Sequence, residues 1–299
     1  MSIAIVGCTV VDLVFSGLTR LPAWPRHGEF TRSNLVFLRK PPIVTLGGNG
    51  ANAAYAAASC GATVVLHTQV GKDWLGGLAR QWLGQAGCRV EAGGKGATGV
   101  NVTAANLRHQ RATFFHPGAA VAMPAISSGK RSLSHLLVCG WPHPPLARIA
   151  RSLRAARRNS IFTALDAGPI LGRPWTLSSL RGVFSVLDLF IANEYEIRRI
   201  AKSAALTEAI GRLRQSFPGH VVIKRGPKGA LWIPAGSNRA HAVPGSRVRT
   251  VNTVGAGDSF NGALLAALAR GSDWPAALRT ARDTSARVVA SRRGVLGIC

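Results

Sequence analysis

Asn252-Thr253-Val254-Gly255-Ala256-Gly257-Asp258-Ser259 stands near the end of a chain of 299 residues, and its two flanks decide how it is read. Upstream, Ser246-Arg247-Val248-Arg249-Thr250-Val251 alternates well enough to predict a strand. Downstream, Phe260 to Arg270 is an apolar run rich in helix formers, closed by Gly271. A small-residue turn therefore opens into a helix. The first N–H groups of a helix have no internal partner, and the helix dipole adds partial positive charge there. Gly255, Ala256 and Gly257 let an anion approach those amides, and Asp258 places a carboxylate in the same turn. Amides that welcome negative charge beside a carboxylate that repels it suggest a division of labour: Asp258 handles a proton while the amides hold the anion.

Working outward, the other segments alternate between strands and helices. Ile3-Ala4-Ile5-Val6-Gly7 is a β-branched run fit for a buried strand, with Asp12 following where that strand would emerge. Gly47-Gly48-Asn49-Gly50-Ala51-Asn52 opens a helix of very small residues and puts two Asn side chains at its mouth. Gly61 to His67 is a strand and Asp73 to Ala86 an amphipathic helix. From Leu133 onward come a strand at Leu136–Gly140, a basic helix at Pro145–Arg158 and a strand at Ile161–Asp166 that ends on a carboxylate. Then follow a strand at Asp188–Ala192, a helix at Ile197–Ala209 and strands at Val221–Lys224 and Ala230–Ile233. This alternation predicts an α/β fold with a mostly parallel central sheet and helices on both faces, in a single domain spanning 1–299. Residues 28–45, broken by Pro41-Pro42, and 98–117, which read as a hairpin, predict a small β-sheet outside the main one.

Composition narrows the function. Hydrophobic residues make up 47% of the chain, which supports a sizeable core, and no apolar run is long enough to span a membrane. The N-terminus lacks a basic leader and reads as a first strand. Five cysteines, none at C-x-x-C spacing, argue against a zinc site or a disulfide framework and for a reducing cytoplasm. The charge is +25, from 37 basic and 12 acidic residues; 7 of the basic residues are lysines, leaving 30 arginines. Such an excess can serve a nucleic-acid partner. The arginines are scattered and no recognition motif accompanies them, so nucleic acid is not expected and a solvated basic surface is.

Taken together, these residues resemble the ribokinase-like (PfkB) family of carbohydrate and nucleoside kinases over nearly the whole chain. The resemblance rests on Gly47–Asn52 with its alanine helix and on Asn252–Gly262, with Asn193-x-x-Glu196 and Gly226-Pro227-Lys228-Gly229 between them in order. No Gly-Lys is followed by Ser or Thr, and the protein-kinase motifs are absent. The resemblance implies an ATP- and Mg²⁺-dependent kinase. Asp258 would be the general base, and Gly255, Ala256 and Gly257 the anion hole for the transferring phosphoryl group. It makes Asp12, Gly48, Asn49 and Asn52 sugar contacts. It also makes Asn193, Lys224, Gly226 and Gly229 nucleotide-side residues, and Glu196, paired with Asn193, the residue that organises magnesium, through water. The small sheet resembles the family's lid, which often forms a homodimer interface. Departures exist. Asn252 stands where Asp is common, leaving potassium activation open; Asn49 replaces a Lys; and Trp141-Pro142 stands where an acidic sugar contact would be sought. These changes argue against ribose as an assured substrate. His116-Pro117-Gly118-Ala119 resembles a lid-adjacent segment without choosing a sugar. The low aromatic content, 6%, tilts toward a sugar over a nucleoside. A non-catalytic ligand-binding relative is the remaining alternative.

Overall fold

The computed structural model describes residues 2–23, 28–107, 110–124, 133–140, 146–168 and 175–298. Trp141-Pro142 and Pro145 lie outside the described residues. The chain begins with β1 (Ser2–Val6), β2 (Val10–Leu18), β3 (Ile43–Gly47), α1 (Asn49–Ser59), β4 (Thr63–Gln69), α2 (Trp74–Gln85) and β5 (Arg89–Gly93). It continues with β6 (Gly99–Asn106), β7 (Arg111–His116), β8 (Leu133–Val138), α3 (Leu146–Arg158), β9 (Phe162–Asp166), α4 (Leu177–Phe184), β10 (Leu189–Asn193), α5 (Glu194–Ala201) and α6 (Leu206–Ser216). It ends with β11 (His220–Lys224), β12 (Ala230–Ile233), β13 (His241–Val243), α7 (Ala256–Ala269) and α8 (Trp274–Ala290).

Nine strands form the main sheet in the order β13-β12-β11-β10-β9-β8-β1-β4-β5. The run from β11 to β5 is parallel, and β12 and β13 add an antiparallel edge. Alternate residues of β1 point to opposite layers. Ile3 and Ile5 join a core with α1, α7 and α8, whereas Ala4 and Val6 join one with α3 to α6. This is an α/β fold with helices on both faces of a mostly parallel sheet, as the alternation predicted. The α1–α7 contact is close because its residues are small. A Cβ added to Gly262 would run into the carbonyl of Ala53. Among the described residues, no helix is long and apolar enough to cross a membrane.

The second sheet has four strands in the order β3-β2-β6-β7. The predicted hairpin at 98–117 is β6 and β7, but the sheet differs from expectation in two ways. Asp12 comes after β1 not in a loop but within β2, a long strand of the second sheet that pairs with both β3 and β6. Of residues 28–45, only those from Ile43 onward enter the sheet. Phe30 and Phe37 stay exposed, and Pro41-Pro42 withhold ladder donors. Two other expectations fail. Residues 246–251 form no strand, because Val248 and Val251 find no buried face; Val251 N–H instead donates to Val289 O on α8. The helix expected at Ile197–Ala209 is two helices, broken at Lys202, whose left-handed φ of 52° caps α5.

Candidate active site

Three neighbouring strands end in polar or charged side chains: β9 in Asp166, β10 in Asn193 and β11 in Lys224. In open parallel sheets ligands bind beyond these carboxyl ends. The N-terminus of α7 arrives over the same edge. Its helix begins earlier than the apolar pattern indicated: Gly255, at φ 75°, is the N-cap, and Ala256, Gly257 and Asp258 make the first turn. Ser259 N–H makes the first intrahelical bond, to Gly255 O. The amides of Ala256, Gly257 and Asp258 are thus the free donors of a helix start.

Asp258 is fixed from α1. Asn52 Nδ2 donates to its Oδ2 at 3.1 Å, while Asn52 Oδ1 is buried without a partner. A side chain at Gly255 would press on the Asn52 amide, at 2.8 Å from Nδ2. Burial and then the negative charge of Asp166 push Asp258 above the usual carboxylate range, with Lys224 and Asn52 pulling the other way. Lys224 Nζ donates to Asp166 Oδ1 at 2.8 Å and to Asn261 Oδ1 at 3.2 Å. Burial works against this ammonium, yet the charges of Asp166, Glu196 and Asp258 outweigh it and hold Lys224 above its ordinary range. Cys8 lies nearby. Burial, with Asp258, pushes its thiol up to about 12, so it is neutral and not a nucleophile.

On the other side stands Asp12, 2% exposed. Its carboxylate sits against Gly47, where any Cβ would collide with it. Across the sheet it pairs with Thr45 and Asn101. Burial, opposed by the Asn101 side-chain hydrogen bond and reinforced by the charge on Asp258, pushes Asp12 up to about 7. Gly48 caps α1 at φ 89°, with its α-carbon against the Cys8 carbonyl. Asn49 is largely committed to the fold. Its Oδ1 accepts from Cys8 N–H at 3.0 Å and Gly50 N–H at 2.8 Å, and its Nδ2 donates to Gly140 O at 2.6 Å. It ties the exits of β1 and β8 together and has one N–H to spare.

Asn193 and Glu196 form a reciprocal cap on α5. Glu196 N–H donates to Asn193 Oδ1 at 2.8 Å, and Asn193 N–H donates to Glu196 Oε2 at 2.7 Å. Glu196 is buried, and burial, then Asp166, push it up to about 7. The cap uses only Oε2, so Oε1 remains for a cation or its water. Among the described residues no cluster of three or more acidic, His or Cys side chains is arranged to hold a metal ion. Gly226 and Gly229, both at positive φ, shape the turn after β11, and Gly229 lies directly on Val243 and Gly245. Val243 in turn lines a cavity of about 290 Å³ together with Trp232, His241, Leu278, Arg279 and Arg282. Asn252 Oδ1 accepts from Val254 N–H at 2.9 Å, and its Nδ2 is buried with no partner.

Asp258, the α7 amides, Asn52, Lys224 and Glu196 are therefore grouped along one edge, with Asp12 within electrostatic reach of Asp258. Sequence reasoning gave no role to Asp166, Asn261 and Asn101. Asp166 was visible as a strand-ending carboxylate. Asn261 was visible as the residue one helical turn past Asp258. Nothing in the sequence marked Asn101, because its partner Asp12 meets it only through β2–β6 pairing.

Known proteins resemble the chain over most of its length. The chain is 28% identical over 286 residues to the nucleoside kinase of Methanothermobacter thermautotrophicus, covering 93% of this chain and 89% of that protein. It is 26% identical over 293 residues to the deoxyribokinase of Salmonella typhimurium, covering 94% and 90%. The crystal structure of ribokinase from Cryptococcus neoformans in complex with ADP superposes with a TM-score of 0.79 at 23% identity, over 99% of this chain and 96% of that one. The pattern of the pfkB family carbohydrate kinases matches residues 42–296, so the chain belongs to that family.

Proposed function

We propose that this kinase moves the γ-phosphoryl group of ATP to a hydroxyl of a small sugar or sugar derivative. Asp258 takes the proton of the attacking hydroxyl, and the amides of the Gly255–Gly257 turn receive the charge of the group in flight. The observation that carries this reading is the start of α7, where free amides and a carboxylate held by Asn52 share one turn. Phosphoryl transfer asks mainly for positioning and charge stabilisation, which such a turn supplies. Asp12, Gly48, Asn52 and the spare N–H of Asn49 face the sugar. Asn193, Lys224, Gly226 and Gly229 border the nucleotide. Glu196, with Asn193, would hold Mg²⁺ through water, and the metal would supply neutralisation of phosphate charge. Asn252 supplies no anionic ligand for potassium, and no step is assigned to that ion.

The nucleoside kinase among the relatives keeps a nucleoside acceptor as the second reading. The small sheet acts as a lid over the sugar. The row Val44–Leu13–Val102–Phe114 crosses it, with Val44 42% and Phe114 66% exposed, and a second copy of the chain would cover that row. A reducing, cytoplasmic setting suits the free cysteines.

The test is ATP consumption, with Mg²⁺, over a panel of pentoses, hexoses, sugar acids, sugar phosphates and nucleosides, with Asp258→Asn as the blank. Turnover on one class, absent from the blank, is the expected result. Nucleotide binding without turnover on any acceptor would point to a non-catalytic relative, and failure to bind nucleotide would refute the reading.

A further inference from the structure

An ammonium group has three N–H donors. Lys224 spends one on Asp166 and one on Asn261. Asp166 is 2% exposed at its side chain and Lys224 15%, so the pair is held out of bulk water at the carboxyl edge of the sheet. Asn261 is fully buried, and its own Nδ2 finds no partner. The Nζ atom lies 3.6 Å from where a side chain on Gly257 would begin, beside the free amides of α7. A buried ion pair is weak evidence for stability, because an apolar pair of the same volume serves a core as well. This pair instead places a cation among Asp166, Glu196 and Asp258 at the mouth of the anion-holding turn.

Resting on the kinase reading above, we infer that Asp166 and Asn261 are positioning residues: from two sides they hold the Lys224 ammonium so that its third N–H meets the γ-phosphoryl group of the nucleotide. Asp166 fixes the ammonium from β9. Asn261, one turn beyond Asp258 on α7, ties the same ammonium to the helix whose amides share the anion. The cation and the amides then move as one unit. The γ-phosphate meets a preformed set of donors and does not have to recruit a mobile lysine.

The consequence is a selective loss. The β-phosphate of ADP does not reach this donor, whereas the γ-phosphate of ATP does. The measurement is calorimetric binding of Mg-AMP-PNP and of Mg-ADP to the full chain, with no sugar needed. Lys224→Met is expected to weaken AMP-PNP roughly 10-fold or more, the worth of one charge-assisted hydrogen bond, while ADP affinity holds. Asp166→Asn is expected to shift AMP-PNP in the same direction, and the Asp166→Asn/Lys224→Met double variant to be no worse than Lys224→Met alone. Asn261→Ala leaves the ion pair intact and serves if the charge variants do not fold; it too should weaken AMP-PNP more than ADP. Equal losses for both nucleotides, no loss for either, or additive losses in the double variant would overturn the inference and leave the kinase reading standing. A wild-type chain that binds neither nucleotide would overturn both.

Discussion

Replacing Asp12 by Asn should stabilise the free protein at alkaline pH and weaken its grip on substrate. The carboxyl is buried against Gly47, and its pKa is raised from 3.8 to about 7. Between those values the unfolded chain has released this proton and the native chain still holds it. The native state binds more protons, so this carboxyl's contribution to stability is full below about pH 4 and is lost as pH rises through 7. At about 1.4 kcal/mol per pH decade the whole interval corresponds to roughly 4 kcal/mol. Asn has nearly the same shape and no proton to release. Between pH 5 and pH 8.5 the stability of the variant relative to wild type should therefore rise by about 2–3 kcal/mol. Glu196 adds a pH-dependent loss of the same sign, but to both proteins, so it cancels in the difference. Urea unfolding at the two pH values, read as a change in midpoint at constant slope, measures this directly. In the same variant the Michaelis constant for the sugar, measured at pH 8.5 where Asp12 is ionised, should rise roughly 10- to 100-fold, the loss of hydrogen bonds to a charged acceptor. A stability difference that does not move with pH, or that moves the other way, would refute the assignment of a reluctantly ionised Asp12.

Asp258→Asn should lower kcat by about 10²–10⁴-fold, as for a lost general base, with nucleotide affinity retained in a calorimetric titration. Gly262→Ala should cost about 1–3 kcal/mol in thermal or urea unfolding, because the new methyl meets the Ala53 carbonyl and forces α1 from α7. Gly77→Ala, exposed on α2 with nothing near its Cβ position, should instead stabilise the fold by about 0.5–1 kcal/mol. With Asn252 in place of an acid, turnover should be the same in potassium as in tetramethylammonium salts; strong activation by potassium would show that the neutral amide still admits the ion.

Local pattern made much of this legible. The period of apolar residues placed most strands and helices, and the glycine turn before α7 was readable because small residues and a helix start have few other uses together. Asn193 and Glu196 were singled out through the family resemblance; their reciprocal cap on α5, which needs only three-residue spacing, emerged from the structure. Where the reading went astray, the deciding partner was distant. Ser246–Val251 alternates like a strand but no neighbouring strand pairs with it, and alternation without a partner does not make a ladder. The break at Lys202 was invisible because α5 and α6 each carry an apolar face and only their packing separates them. Asp12 could be seen as a carboxylate after a strand, but β2 itself is stabilised by β3 and β6, which lie far along the chain.

The sequence by itself determined which segments could fold regularly, and it determined the chemistry of the α7 turn, where free amides and a carboxylate must coexist because the residues are contiguous. Only the tertiary structure decided that Lys224 is a tethered cation and not a surface lysine, and that Asp12 and Glu196 hold their protons to about neutral pH. Those properties come from burial and from charges on other strands and helices. Desolvation and Coulomb interaction depend on distance in space, which the order of residues along a chain does not specify.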